Sequence, residues 1–583
     1  MPDQKLENLL NVSLSATPAE LEQSPLLSSG LATENEFPDF TGSLWDIILR
    51  YSGSLSEILD TLPGSVRAVP LLGGYAILTL PKAYISLLSV HPLVQFIEQP
   101  KQIYYQFTQS QSVSCIPPVT RPPYSLSGSG ILIGVVDSGI DLSHPAFLTP
   151  DGQTRVLRLW DQTGSNALPP PAGYQMGSEY TREEIQQRLD QKLPLPQDIS
   201  RHGTAVCGIA AGSSLSDGSG FVGVASKASL AVVKLAPSAP NSFPRTSELM
   251  QGINYLAETA IALQMPMVIN ISIGNTYGSH DGTSLLESFL DTISNLWKIT
   301  ICIGTGNEGN DSGHTMVSLS SFSTEEVDFT INPYETSLTI QLWKNYYDTL
   351  TLRLQSPAGT NISIPAAPGP YRFPMDQTSL LIYYGEPGPY AISQEIFLQF
   401  LPENRYLNSG VWKLILEGGQ ITDGSVNLWM NDGSQRNFST RFLNPTPDTT
   451  LTIPSTAAKV IAVGAYDGRQ KTYADFSGRG YTRRPVRIKP DLAAPGVEIL
   501  GPSVGGGVEA FTGTSFACPL VTGSAALLME WGIIRGNDPF LFGEKVRAYL
   551  QKGARPLSAE REYPNPRLGY GTLCLLNSFP DSI

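Results

Sequence analysis

Charge is scarce in this chain of 583 residues. Asp, Glu, Lys and Arg supply 15% of it, against about 25% in ordinary soluble domains. With 54 glycines and 46 prolines, the composition favours turns and loops over long helices, which sets aside the helical-bundle classes. No block of lysines or arginines occurs, and the net charge is -14. Such a surface offers no electrostatic footprint for phosphates, so neither nucleic acid nor an anionic membrane is expected as a partner. Cysteine is nearly as sparse: Cys115, Cys207, Cys302, Cys518 and Cys574 stand apart, without CxxC pairs. That spacing signals neither a disulfide framework nor a zinc site and fits a reducing compartment. No run of eighteen uncharged apolar residues is present, so nothing argues for a membrane span. The opening MPDQKLENLLNVSL has neither the cationic start nor the apolar core of a Sec signal. A cytoplasmic location is expected, with release by lysis or packaging into a spore (a spore-associated location) left open. No metal and no cofactor is called for.

Length implies several units, and the texture of the chain divides it. Residues 1–43 read as a loosely ordered N-terminal extension, with one short helix at Pro18–Glu22. From Trp45 the pattern sharpens. WDIILRY alternates, SLSEILDTL is helical, YAILTL is a strand, and AYISLLSVHPLV is a second helix before VQFIE. Residues 44–109 thus form a small α+β unit, closing in the polar linker QPKQIYYQFTQSQSVSCIPP. Residues 110–315 alternate β-branched runs (ILIGVVD, LAVVKLA, MVINISIG, ITICIG) with helical stretches. This predicts right-handed crossovers and an α/β fold with a parallel sheet flanked by helices. Sites in such sheets lie at the carboxyl ends of the strands, where Asp137, Gly274 and Asn307 fall. Residues 316–444 turn to short alternating segments such as VDFTI, SLTIQLW, EIFLQF and VWKLILEG. They predict an inserted β-sandwich of jelly-roll type. Residues 445–583 resume the α/β pattern.

Three segments pair a reactive residue with glycine turns: VVDSGID around Asp137, RHGTAVCGIAAG around His202, and GTSFACP around Ser515. Acyl transfer at a serine needs a base for the hydroxyl proton and a carboxylate to orient that base. Each residue also has a bland alternative: a turn at Asp137, a helix start at His202, a helix N-cap at Ser515. GTGNEG adds Asn307, a turn residue or an amide aimed at an oxyanion. Asp141 reads as a surface turn residue. Cys207, five residues after His202, reads as a small buried hydrophobe rather than a reactive thiol.

The order Asp, His, Asn, Ser within DSGID, HGTAVCG, GTGNEG and GTSFACP resembles the subtilisin-like serine proteases, the subtilases. NISIG (270–274), KPDLAAPG (489–496) and PNPRLGYG (564–571) add to the likeness, which covers almost all of 130–576 except the sandwich. It implies Ser515 as nucleophile, His202 as general acid and base, and Asp137 as orienting carboxylate. Asn307 and the Ser515 amide would be the oxyanion donors. Ser272, Ile273 and Gly274 would bind the substrate backbone as an edge strand. Gly304, Thr305 and Gly306 would line the pocket for the residue before the scissile bond. The 44–109 unit would be a propeptide, chaperone and inhibitor in one, cut once by Ser515 within 105–110. The match of SQSV to the family's mature start favours the Gln109–Ser110 bond. Departures are Phe516 where the family usually has Met, Cys518 among the small residues, and no inserted calcium loop after His202. RVLRLWDQTG, GSEYTREEIQQRL and NTYGSHDGTSLLE resemble the clostridial Csp germination branch. That branch implies a jelly-roll insertion and a spore cortex-lytic precursor as substrate.

Two other classes stand beside an active endopeptidase on a protein substrate. One is a subtilase-fold binding or regulatory protein, silent or working once on its own propeptide. The other makes the sandwich a glycan-binding module, although no obvious cluster of exposed aromatics marks such a face.

Overall fold

The computed structural model describes residues 4–580 except 25, 33–43, 63–65, 102–103, 106–112, 165–167, 216–218, 238–242, 484–485 and 559. Its centre is a nine-stranded sheet. Across it run Thr472–Tyr473, Ile461–Asp467, Ile299–Gly304, Met267–Ile271, Leu132–Asp137, Ser229–Lys234, Val156–Asp161 and Ser178–Thr181. Leu492–Pro495 pairs beside Ile461–Asp467. The inner pairings are parallel, and the two outermost strands turn back antiparallel. Parallel strands buried on both faces need continuous apolar runs, which LIGVVD and ITICIG supply with every residue buried. Helices His202–Ala211 and Thr514–Met529 cover one face, and Thr246–Leu263 and Leu285–Ile293 cover the other. The segment Thr514–Ile534 is apolar enough to cross a membrane by composition, yet 83% of its apolar window is buried in this core.

Pairing of Ile271 with both Val136 and Ile303 brings three strand ends level. Asp137, Ser272 and Gly304 therefore share one rim.

Between His314 and Phe442 lie two antiparallel sheets, of six and five strands, packed on a core containing Phe329, Phe400, Trp412 and Phe442. The alternation read from the sequence marks their inward faces: Leu350–Gln355 buries Leu350, Leu352 and Leu354 in turn.

The N-terminal unit contains a four-stranded antiparallel sheet, ordered Arg67–Leu71, Tyr75–Pro81, Leu44–Tyr51, Val94–Glu98. The expectation of a loose extension before it is corrected. Asn8–Ser15 and Pro18–Gln23 are helices, the second opened by a capping box between Thr17 and Glu20. Leu6, Leu9, Leu10 and Val12 bury against Trp45, Leu49 and Ile97 of that sheet and against Leu381, Tyr383 and Phe397 of the sandwich. A helix of eight residues is marginal alone, and packing on two neighbours stabilises this one.

A second correction concerns cysteine. Cys115 and Cys574, 459 positions apart in sequence, form a disulfide with Cα atoms 4.8 Å apart. Sequence spacing carries no trace of a bridge that closes a whole domain, because the fold alone brings its ends together. Cys207, Cys302 and Cys518 are free and buried.

Candidate active site

Asp137 ends its strand fully buried, and His202 opens the helix His202–Ala211 with 1% of its surface exposed. Imidazole Nδ1 lies 2.7 and 2.9 Å from the two Asp137 carboxylate oxygens. A carboxylate only accepts, so Nδ1 carries the proton and Nε2 is the basic nitrogen when the ring is neutral.

Asp198 holds this pair in place, and the sequence reading missed it. One of its oxygens accepts from the Thr204 N–H and hydroxyl at 2.8 and 2.7 Å, capping the His202 helix. The other accepts from the Ser138 hydroxyl at 2.7 Å, and Ser138 in turn accepts from the Gly203 N–H at 2.9 Å. The acid's loop and the base's helix are thereby tied to one buried carboxylate. Its only trace in the sequence is an acid four residues before the histidine, a common capping pattern. Arg201, between them, takes a left-handed φ of 66° to turn the chain into the helix.

The serine segment answers a puzzle of its composition, a proline inside a helix. Pro519 has no N–H, so the Ser515 carbonyl four residues back loses its helical donor. The Ser272 hydroxyl replaces it at 3.0 Å, and the Ser515 hydroxyl donates to the Ser272 carbonyl, also at 3.0 Å. Asn270 supports Ser272 by donating to its hydroxyl at 2.8 Å and accepts from Thr522 of the same helix at 2.9 Å. The edge strand and the Ser515 helix are thus joined. Ser515 is the second residue of that helix, and its N–H belongs to the first turn, which has no intrahelical acceptors.

Asn307 stands beside it. Its Oδ1 accepts from the Thr514 N–H at 3.1 Å, which fixes the amide's orientation and turns its N–H₂ group away from that bond. Gly513 has φ of 149°, and a Cβ there would sit 3.3 Å from Asn307 Nδ2. Phe516, the departure from Met, lies with its ring 5.2 Å from the His202 ring and 5.0 Å from Phe511. It walls one side of the imidazole. Asp137, His202, Asn307 and Ser515 therefore gather at one rim of the sheet.

Of the other residues singled out, Gly304 abuts Thr514, whose hydroxyl accepts from the Gly306 N–H at 3.1 Å. Thr305 is wholly buried, its hydroxyl 3.4 Å from that of Ser477. Asp141 accepts from Ser143 and from the Gly505 N–H, tying two loops. Cys207 is fully buried, and desolvation pushes its thiol well above the usual range, as expected of a small buried hydrophobe rather than a reactive thiol. No group of three His, Cys, Asp or Glu able to hold a metal occurs among the described residues.

Tyr104–Tyr105 pairs antiparallel with Ile273–Gly274, Tyr105 opposite Ile273 and Tyr104 opposite Gly274. The N-terminal unit is therefore connected to the rim by an added strand. Gln109 and Ser110 lie outside the described residues.

Comparison with known proteins matches the sequence model of the Subtilase family over residues 128–373 and 431–571. The chain belongs to the subtilase family. Residues 4–101 match the Csp protease B prodomain, so the prodomain takes in the helices read as an extension. The Clostridium perfringens CspB protease structure is 35% identical. The match covers 80% of this chain and 95% of that one, at a TM-score of 0.73. Subtilisin E of Bacillus subtilis is 28% identical over 266 residues, 45% of this chain and 57% of the relative. The Arabidopsis thaliana subtilisin-like protease SBT6.1 is 32% identical over 135 residues, 13% of its own length. The chain is thus a subtilase-family serine protease with a prodomain, and it spans only part of those two curated relatives.

Proposed function

We propose that the chain is an endopeptidase in which Ser515, His202 and Asp137 act as nucleophile, acid and base, and orienting carboxylate. The observation that carries this reading is the Asp137–His202 pair, its imidazole 5.2 Å from the ring of Phe516, the residue after Ser515, at the rim where Tyr104–Tyr105 adds to the substrate edge. The Ser515 hydrogen, now given to the Ser272 carbonyl, passes to His202 Nε2 as Oγ attacks the scissile carbonyl. Charge on the carbonyl oxygen is met by Asn307 Nδ2–H and the Ser515 N–H, groups fixed before the reaction. His202 then protonates the leaving amine, and water repeats the sequence on the acyl-enzyme. Asp137 holds the tautomer throughout and stabilises the imidazolium.

The first substrate is the chain itself. The prodomain's last described strand leads to Ser272, whose carbonyl meets Ser515, which supports one cut within 105–110, at Gln109–Ser110 by the SQSV match. The severed prodomain then acts as bound inhibitor. The likeness to the CspB protease supports a second protein substrate, the precursor of a spore cortex-lytic enzyme, with a cytoplasmic or spore-associated location. The sandwich is assigned as the jelly-roll insertion of that branch.

Intact mass of the purified chain beside Ser515→Ala tests the reading. Two fragments divided near Gln109 in the parent and one whole chain in the variant are expected. Both proteins whole would move the regulatory, binding-protein reading ahead. Cleavage of a second protein in trans separates a turnover enzyme from one that acts once.

A further inference from the structure

Beyond Gly274 the substrate edge leads to a cavity of about 190 Å³ where three parts of the chain meet. The prodomain contributes Ser24 and Lys101, the catalytic domain Asn275, and the sandwich Thr339, Asp432 and Gln435. Asn275 and Asp432 are 3% and 5% exposed. Asn275 Oδ1 accepts from the Tyr277 N–H at 2.9 Å, while its Nδ2 has no hydrogen-bond partner among the described residues. Asp432 Oδ1 accepts from the Ser434 N–H and hydroxyl at 2.9 and 2.7 Å, while its Oδ2 likewise has none. Leaving a buried donor and a buried acceptor unmatched is costly, and such groups call for a ligand that supplies both partners.

Direction shows which ligand reaches them. A peptide on the edge runs antiparallel, with Tyr105 opposite Ile273 and Tyr104 opposite Gly274, so its upstream residues lead toward Asn275. We propose that this cavity is an upstream substrate subsite, closed by the prodomain and opened when it leaves, that selects a side-chain amide, Gln or Asn, of the protein substrate. An amide oxygen takes the Asn275 N–H, and the same amide's N–H₂ gives to Asp432. A lysine satisfies the carboxylate alone, and a glutamate the amide alone. The subsite rests on the peptidase reading and adds specificity from a domain that contains none of the reacting groups.

The test uses the self-processed full chain and peptides copied from residues 104–113. The short peptide begins at the tyrosine that sits opposite Gly274. The longer ones add four alanines ahead, one of which is replaced in turn by Gln, Lys, Glu or Leu. Two isosteric swaps keep every bond to Oδ1 and reverse the unmatched atom: Asn275→Asp leaves two acceptors, and Asp432→Asn leaves two donors. The readout is the ratio of kcat/KM between leaders, which cancels any loss common to all peptides. The parent should favour Gln over Leu about fivefold at one position. Asn275→Asp should move the preference to Lys, and Asp432→Asn should move it to Glu. The same leader ranking in all three proteins overturns the subsite and leaves a cavity that holds water only. No cleavage of the short peptide overturns the peptidase reading and the subsite with it. Should Asn275→Asp not fold, Asp432→Asn on the sandwich decides alone.

Discussion

The rim of the sheet and the seat of the prodomain both bury charge, in opposite ways. At the rim one carboxylate faces one imidazole, and each comes with its own glycine-rich motif. At the seat, Lys101 pairs with Glu7 at 2.7 Å and with Glu98, while Glu395 of the sandwich accepts from Asn8 at 3.0 Å and from Tyr277 at 3.0 Å. Three carboxyls share one lysine there, and they come from two separate domains. Burial pushes Glu7 up to about 8 and Glu395 up to about 7, and in both it is the largest cause. Hydrogen-bond donors hold each rim carboxylate in place, whereas surplus acid makes the seat responsive to pH.

The largest effect expected is on the rim. Ser515→Ala should abolish self-cleavage and lower kcat by about 10⁶-fold, and Asp137→Asn should lower it by about 10⁴-fold, both measured in trans on a peptide. Asn307→Ala should lower kcat by about 10²–10³-fold with little change in KM, as removal of one oxyanion donor does. Asp198→Asn should cost kcat up to about 10²-fold. It should also shift the pH–rate profile, because Asp198 acts by positioning His202; an unchanged profile would reduce it to a cap.

The seat is tested by pH. In a freed prodomain Glu7 returns toward its ordinary value of 4.5. Association therefore takes up protons. Its contribution is fully present below about 4.5 and is lost as pH rises through 7 to 8, at most about tenfold in affinity per pH unit for each carboxyl. Gel filtration of the self-cleaved chain at pH 5 and pH 8 should show more separated prodomain at pH 8, and Glu395→Gln should flatten the difference. Equal retention at both values would erase the contrast with the rim. The smallest effect concerns the disulfide. Alkylation after denaturation without reductant should label only Cys207, Cys302 and Cys518, and reduction should cost about 2–4 kcal/mol of stability.

What could be read in the sequence follows the range of the interaction. Asp137, His202, Asn307 and Ser515 were legible because each sits in a short glycine-bearing motif whose turn the backbone requires. Strands such as LIGVVD and LTLRLQ were legible because burial on two faces or one writes itself in their period. Asp198 looks like any helix cap until Ser138 is placed beside it. LENLLNV carries apolar residues at helical spacing, but the surfaces that bury them lie as far along the chain as Phe397. Cys115 and Cys574 meet only because the domain closes.

The prodomain's grip has a consequence for synthesis. It caps the helix Leu285–Ile293 through Glu98, which accepts from the Leu285 N–H at 3.1 Å, and it holds the sandwich through Glu20, 2.7 Å from Arg372. Translated before both surfaces, it must wait for them, and the later one ends beyond Gln399, partner of Ser24 at 3.1 Å. The ribosome therefore delivers the prodomain long before the surfaces that it grips. Through that interval Leu6, Leu9 and Leu10 are left without their final cover, and a nascent chain stalled before residue 400 should engage chaperones that one stalled after 450 does not.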